Sequence, residues 1–254
     1  MNRPKKKAPW LVFRPRTEPA KLRLFCFPYA GGGASIYRTW ASDLPAAIEA
    51  VPVQPPGREN RLMETPLRRM DDLANALVPE LLPHLDRPFA FFGYSLGATL
   101  AYEVALRLQR LHGKPPAHLM VAARRAPHLP PSREAIHDLP EDAFIERLRE
   151  LDGTPEEALA NPELMELLLP LLRADFEVVE TYEPIQRPAV ATTVTALGGL
   201  ADPDVEREHL EAWSGYGQEP FRVRMFPGGH FFLHDEGTRT SLIQAVIQEL
   251  QPLL

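Results

Sequence analysis

The sequence has a single cysteine, Cys26, which excludes an internal disulfide and a zinc site built from cysteines. Such sparing cysteine use fits a reducing compartment, so we expect a cytoplasmic protein. No apolar run approaches the roughly 18 residues of a membrane span, and we expect no membrane association. Basic side chains are not in excess either: 28 Lys and Arg against 34 Asp and Glu give a net charge of −6. This balance argues against a general nucleic-acid-binding protein.

Short apolar runs alternate along the chain with longer helical patterns, without a repeat or a low-complexity linker. This alternation predicts a mostly parallel, doubly wound α/β sheet. We expect one domain over residues 1–254, a length at which a single core can still form. The predicted strands are Arg23–Phe27, Ala50–Gln54, Phe89–Gly93, Leu119–Ala123, Thr193–Leu197 and Phe221–Phe226. The predicted helices around them are Ser35–Asp43, Asp71–Leu85, Gly97–His112, Val205–Tyr216 and Thr238–Leu250.

The stretch between the fourth and fifth strands has no strand pattern of its own. Its predicted helices are Glu141–Leu151, Pro155–Ala160, Asn161–Arg173 and Asp175–Tyr182. The third of these is too apolar for a surface helix with one buried stripe. It is either a helix of the main core or part of a lid over the strand ends. The length of the insertion favours a helical lid over residues 127–187.

The pattern Gly93-x-Ser95-x-Gly97 lies where a predicted strand runs directly into a predicted helix. This context is typical of a nucleophile elbow, in which the serine occupies a strained, sharp turn. Side chains at positions 93 and 97 would collide there with the adjoining strand and helix. The alternative is a serine that caps an ordinary βα turn. The context favours Ser95 as a nucleophile.

A serine hydroxyl needs a base within hydrogen-bond reach, and that base follows the lid in the chain order typical of this elbow. Of the histidines, only His209, His230 and His234 follow the lid segment. His230 comes directly after the last strand, behind Gly228 and Gly229, which permit an unusual backbone path. We therefore predict that His230 is the base.

The base needs a carboxylate that orients it and stabilises its charged form. Asp202 and Asp204 both follow the fifth strand and both could reach a histidine on the next loop. We favour Asp202, which is closer to the strand end and is held by Pro203. Asp204 would instead cap the following helix.

A glycine-rich loop, Gly31-Gly32-Gly33, follows the first strand. It has neither the spacing of a dinucleotide fingerprint nor that of a phosphate-binding P-loop. In a hydrolase such a loop supplies a backbone N–H to the developing oxyanion, together with the residue after the nucleophile. We predict Ala30 and Leu96 as these two donors. This chemistry requires no cofactor and no metal ion.

Taken together, these residues give a sequence that resembles the type II thioesterases of polyketide synthases and nonribosomal peptide synthetases. The matching segments span most of the chain and are Phe27–Gly33, Pro55–Glu59, Gly93–Ala98, Arg125–His128, Leu171–Phe176 and Phe226–Leu233. The resemblance implies an α/β-hydrolase fold with a helical lid and a triad of Ser95, Asp202 and His230. It also implies hydrolysis of acyl thioesters from the phosphopantetheine arm of an acyl or peptidyl carrier protein.

The triad alone does not separate a thioesterase from a carboxylester hydrolase or an acyltransferase. A catalytically silent ligand-binding protein is a further alternative, but it would be expected to lack a triad member. We expect a free-standing monomer. Carrier proteins of this kind are acidic, so a docking face would need a basic patch. The candidates are Arg58, Arg61, Arg68, Arg69, Arg124, Arg125 and Arg133. The basic start, Met1–Lys7, is interpreted as a solvated terminus.

Overall fold

The computed structural model describes residues 9–14, 18–184 and 189–254. The basic start, Met1–Lys7, and the last three residues of the predicted lid, 185–187, lie outside the described residues. Within these ranges no helix has the length and apolar character to cross a membrane.

One sheet of six strands, in the order β2-β1-β3-β4-β5-β6, organises the molecule. Every pair of neighbouring strands is parallel, which confirms the predicted doubly wound sheet. The strands are β1 (Leu22–Phe27), β2 (Ile48–Pro52), β3 (Phe89–Tyr94), β4 (His118–Ala122), β5 (Thr193–Gly199) and β6 (Gln218–Phe226). Because all six run in one direction, their carboxyl ends lie along one edge of the sheet.

The second strand lies two residues earlier than predicted. Its first residue, Ile48, pairs with Leu22 of β1. The Val53 amide still donates to the Cys26 carbonyl of β1 at 2.8 Å, but the next amide, that of Gln54, donates to the Trp10 carbonyl at 2.7 Å. The apolar pattern covers both stretches and therefore does not show where the partner changes.

Helices cover both faces of the sheet. They are α1 (Trp40–Asp43), α2 (Met70–Leu81), α3 (Leu96–His112), α4 (Glu141–Glu150), α5 (Glu156–Leu159), α6 (Pro162–Glu180), α7 (Arg207–Glu211) and α8 (Glu236–Leu250). Side chains of β3 alternate between two apolar cores: Phe89 and Phe91 pack on the face of α2 and α3, Phe92 and Tyr94 on that of α8. This period of two is what a strand covered on both faces requires.

Two of the predicted lid helices are one helix in the structure. The sequence predicts separate helices over Asn161–Arg173 and Asp175–Tyr182, but α6 runs unbroken from Pro162 to Glu180. Nothing at position 174 interrupts a helix, and Asp175 has buried hydrogen-bond partners that satisfy its carboxylate. The predicted division is therefore wrong.

The residues between β4 and β5 form a small apolar core of their own. Its buried members are Ile136, Phe144, Leu148, Leu159, Met165, Leu169 and Leu172. Further along α6, Val178 instead belongs to the core beside the sheet. The buried residues Met165, Leu169 and Leu172 of the predicted apolar helix Asn161–Arg173 thus belong to the small core, and the part of α6 beyond it reaches the core beside the sheet.

Candidate active site

The turn between β3 and α3 holds Ser95 in a strained conformation. Its φ is 52° and its ψ is −114°, a backbone conformation that residues other than glycine rarely adopt. A Cβ on Gly93 would lie 2.6 Å from the Cα of Ala98, and one on Gly97 would lie 2.6 Å from the Pro28 carbonyl oxygen. Glycine is needed at both positions, for the reason that the sequence analysis gave.

The structure brings the three predicted side chains into one hydrogen-bonded line. The Nε2 atom of His230 lies 3.1 Å from the Oγ of Ser95. On the other side of the ring, Nδ1 lies 2.8 Å from Oδ2 of Asp202. The first distance is within reach of proton transfer from the serine to the histidine, and the second is a hydrogen bond that orients the imidazole ring.

Asp202, rather than Asp204, contacts the histidine. Its carboxylate is buried, and its second oxygen, Oδ1, accepts hydrogen bonds from the amides of Asp204 (2.9 Å) and Val205 (3.3 Å). Asp204 turns away and forms an ion pair with Arg133 at 2.6 Å. The carboxylate that orients the ring is thus itself oriented by backbone amides.

The loop that carries His230 is tied to the elbow. The hydroxyl of Tyr94, the residue before the serine, donates to the His230 carbonyl oxygen at 2.6 Å. Gly228 has a φ of 103°, the backbone freedom that the glycines predict. Sequence reasoning did not identify Tyr94, because nothing in the chain order links it to a loop 136 residues later.

The two other histidines considered for the base have different partners. The amide of Glu206 donates to Nδ1 of His209 at 3.1 Å, at the start of α7. His234 hydrogen bonds to the hydroxyl of Tyr29 at 2.7 Å. Burial raises the pKa of Tyr29 to about 12 and lowers the pKa of His234.

The glycine loop after β1 faces the same cavity as the serine. Ala30 lines that cavity together with Ser95 and His230. Leu96 is the first residue of α3, where backbone N–H groups have no acceptor within the helix. The positive end of the helix dipole adds to the attraction of this corner for negative charge.

A cavity of about 560 Å³ opens in front of Ser95, between the sheet edge and helices α4 and α6. The lining from this helical side includes the apolar side chains of Leu148, Leu151, Leu172, Phe176 and Val179, beside charged ones such as Arg147 and Glu180. The volume is typical of small-molecule sites. An acyl chain would find an apolar lining next to the serine.

Two arginines after β4 also line this cavity. Arg124 donates through Nε to the Thr99 hydroxyl at 3.1 Å, and burial lowers its pKa to about 10. Arg124 and Arg125 are both among the residues that line the cavity.

The expected basic surface patch fails at two of its positions. Arg58 and Arg61 are each only 4% exposed. Arg58 pairs with Asp175, and Arg61 lies over the ring of Trp10, 4.6 Å from its centroid. Neither side chain is available to an acidic partner, and the prediction is wrong for both.

Asp175 is a further residue that the sequence analysis did not assign. Its carboxylate is 1% exposed and accepts a hydrogen bond from the Gly31 amide at 2.7 Å. The available signal was its place in the segment Leu171–Phe176, which carries the family resemblance. Among the described residues, no group of histidine, cysteine and carboxylate side chains is arranged to hold a metal ion.

Comparison with known proteins shows which family this chain belongs to. A family model described as a thioesterase domain matches residues 22–250. The protein named "Linear gramicidin dehydrogenase LgrE", from Brevibacillus parabrevis, is 43% identical over 243 residues, which cover 94% of this chain and 92% of the relative. "Gramicidin S biosynthesis protein GrsT", from Aneurinibacillus migulanus, is 40% identical over 245 residues, covering 96% and 95%.

A solved structure agrees with these sequence matches. The "type II thioesterase BorB from the borrelidin biosynthetic cluster" superposes with a TM-score of 0.86 at 36% identity, over 95% of this chain and 97% of that one. The matched thioesterases have the α/β-hydrolase fold, which is also the fold of this chain.

Proposed function

The chain belongs to the thioesterase family, and we propose that it hydrolyses acyl thioesters from the phosphopantetheine arm of an acyl or peptidyl carrier protein. Its role would be editing in polyketide or nonribosomal peptide biosynthesis, where it clears stalled or wrongly primed acyl groups. The observation that carries this proposal is the line Ser95–His230–Asp202, which opens onto a cavity walled by lid side chains.

In the first half of the proposed reaction, Ser95 Oγ bonds to the thioester carbonyl carbon while His230 Nε2 takes the hydroxyl proton. Asp202 accepts the Nδ1–H bond, keeps Nε2 free to accept that proton, and stabilises the imidazolium. The tetrahedral intermediate then breaks its C–S bond. His230 gives the proton to the leaving sulfur, so the arm departs as a free thiol and the acyl group stays on Ser95.

In the second half, water replaces the thiol. His230 takes a proton from the water, whose oxygen attacks the acyl carbon. The C–Oγ bond breaks, the proton returns to Ser95, and a carboxylic acid leaves. Two backbone donors, the N–H groups of Ala30 and Leu96, would hold the oxyanion in both halves. Each such donor is worth about 3 kcal/mol in the transition state.

The nature of the substrate rests on the relatives. The similar structure is named as a type II thioesterase of a biosynthetic cluster, and GrsT is named for gramicidin S biosynthesis. Both names fit acyl groups carried as thioesters on a synthase. The cavity beside Ser95 has room for the acyl part of such a substrate. We further propose a cytoplasmic monomer that acts on carriers, without a nucleic-acid or membrane partner.

The test uses carrier protein loaded with a panel of acyl groups, and intact mass spectrometry of both proteins. We expect release of free carrier thiol and a transient acyl adduct on Ser95. The Ser95→Ala variant should lose both, while Ser241→Ala, which changes an exposed serine of α8, should lose neither.

Two results would contradict the proposal. Undiminished hydrolysis by Ser95→Ala would remove the proposed nucleophile. Faster turnover of an oxygen ester than of the matching pantetheine thioester would instead favour a carboxylester hydrolase with the same triad.

A further inference from the structure

Two segments that carry the family resemblance have no part in the triad, yet they meet in the structure. Arg58 belongs to the segment Pro55–Glu59, and Asp175 lies on α6. The guanidinium holds the carboxylate with two hydrogen bonds, Nη1 to Oδ2 at 2.8 Å and Nη2 to Oδ1 at 2.9 Å. Both side chains are buried. Their geometry is the bidentate one that makes an arginine–carboxylate pair both strong and directional.

Each partner of this pair also binds the backbone of the glycine loop. The Gly31 amide donates to Oδ2 of Asp175 at 2.7 Å. Arg58 Nη1 donates to the carbonyl oxygen of Gly32 at 3.0 Å. The pair therefore holds the loop by one donor and one acceptor on consecutive residues, directly after the predicted oxyanion donor, Ala30.

These contacts determine where the Ala30 N–H group points. The Gly32 amide closes a turn onto the Tyr29 carbonyl oxygen at 3.0 Å. That carbonyl and the Ala30 N–H belong to the same planar peptide unit, so the direction of one sets the direction of the other. The Arg58–Asp175 pair fixes the residues on which this turn depends.

Helix α6 packs closely against the same loop at Gly31. Gly31 has a φ of 78°, and a Cβ there would lie 2.7 Å from Cδ2 of Leu172, one turn before Asp175 on α6. A side chain at position 31 would push the helix away from the loop. Gly31 thus lets α6 approach closely enough for Asp175 to reach the loop amide.

We propose that Arg58 and Asp175 are positioning residues that aim the Ala30 amide at the developing oxyanion. Because Asp175 is part of α6, the oxyanion hole is complete only while the lid helix is seated on the glycine loop. This inference rests on the proposed function, since it assumes that Ala30 stabilises the tetrahedral intermediate formed at Ser95.

The test separates positioning from stability by removing both charges together. A single Arg58→Met change leaves a buried, unpaired carboxylate, which destabilises a protein strongly. The double variant Arg58→Met/Asp175→Val leaves no unpaired charge, and apolar replacement of a buried pair is often neutral for stability. We expect the double variant to recover most of the Tm that the single variant loses.

Activity should not recover with stability. The double variant lacks partners for the Gly31 amide and the Gly32 carbonyl, so we expect its kcat to stay about 10- to 100-fold below that of the wild type. This decrease is smaller than the one caused by complete removal of an oxyanion donor. KM should change by less than about threefold, because ground-state binding does not use the oxyanion hole. A trifluoromethyl ketone analogue of the thioester, which forms a hemiketal oxyanion on Ser95, should bind weaker by the same factor as kcat/KM falls.

A matched control lies at the other end of the sheet. Glu49 of β2 forms a buried ion pair with Arg23 at 2.9 Å. Glu49→Gln should lower Tm and leave kcat and analogue binding unchanged. The inference is overturned if the double variant regains wild-type kcat together with its Tm, or if its affinity for the analogue is unchanged. Failure of the proposed function looks different, since wild-type hydrolysis would then not depend on Ser95 at all.

Discussion

Replacement of Asp202 by asparagine tests the proposed orientation of the base by the acid. Asparagine has nearly the same shape and keeps one oxygen, which can still accept from the amides of Asp204 and Val205 as Oδ1 does now. Its NH₂ group then replaces Oδ2, the atom 2.8 Å from His230 Nδ1. Two donors would face each other, so the ring takes the tautomer that carries its proton on Nε2. That nitrogen can no longer accept the proton of Ser95.

The expected loss of kcat is large because the variant lacks a base that can accept the Ser95 proton, although the fold is kept. The same exchange in a serine protease triad lowers kcat by about 10⁴, which corresponds to about 5.5 kcal/mol of activation free energy. Tm should change little, since the buried side chain keeps its size and its two backbone hydrogen bonds. Asp204→Asn is the matched control: it loses a partly exposed ion pair with Arg133, worth at most about 1 kcal/mol of stability.

The assay measures kcat on one acylated carrier for both variants, beside thermal unfolding of each. We expect the kcat of Asp202→Asn to be about 10⁴-fold below that of the wild type, and the kcat of Asp204→Asn to stay within about twofold of it. The reasoning is refuted if Asp204→Asn is the more impaired enzyme, or if Asp202→Asn keeps more than about a tenth of the wild-type rate.

Two further predictions concern stability. Gly97→Ala should destabilise the fold by about 3 kcal/mol or more in urea unfolding, because the new Cβ would collide with the carbonyl oxygen of Phe27. Gly215→Ala is the control and should be near neutral, since a Cβ at that position meets nothing within 4 Å. Burial lowers the pKa of His118 to about 4 from its usual 6.5, so the native chain stays unprotonated where the unfolded chain binds a proton. Stability present above about pH 6.5 should therefore be lost as pH falls toward about 4, by up to about 3 kcal/mol. His118→Gln should flatten this dependence, and an equally steep loss in the variant would contradict it.

The fold and the placement of the triad candidates followed from local patterns. Each strand was marked by an apolar run, and the parallel order placed every strand's carboxyl end at one edge. Ser95, Asp202 and His230 each lie shortly after the end of a strand, so their predicted meeting needed no knowledge of side-chain packing. The catalytic roles themselves stay predictions until the variants are measured. The family resemblance is confirmed by the domain match over residues 22–250.

What the sequence could not show are contacts between distant, unrelated elements. Arg58 was expected at the surface as part of a basic patch that would bind an acidic carrier protein. Its burial depends on Asp175, which lies 117 residues later on a helix whose own boundaries were predicted wrongly. Tyr94 is similar, since its hydroxyl partner lies on the loop of His230. Neither periodicity nor motif spacing encodes such pairs.

The lid contacts both halves of the proposed machinery, and this affects how its variants will behave. On one side, α6 reaches the glycine loop through Asp175 and Leu172. On the other, the lid residue Gly153 packs so closely on Phe231, next to His230, that a Cβ would lie 2.6 Å from the ring. Side chains that shape the acyl cavity are thus on the elements that hold the oxyanion loop and the base in place. A change in the lid made to alter chain-length preference is therefore expected to change kcat together with KM, since the residues that select the acyl group also support the residues that act on it.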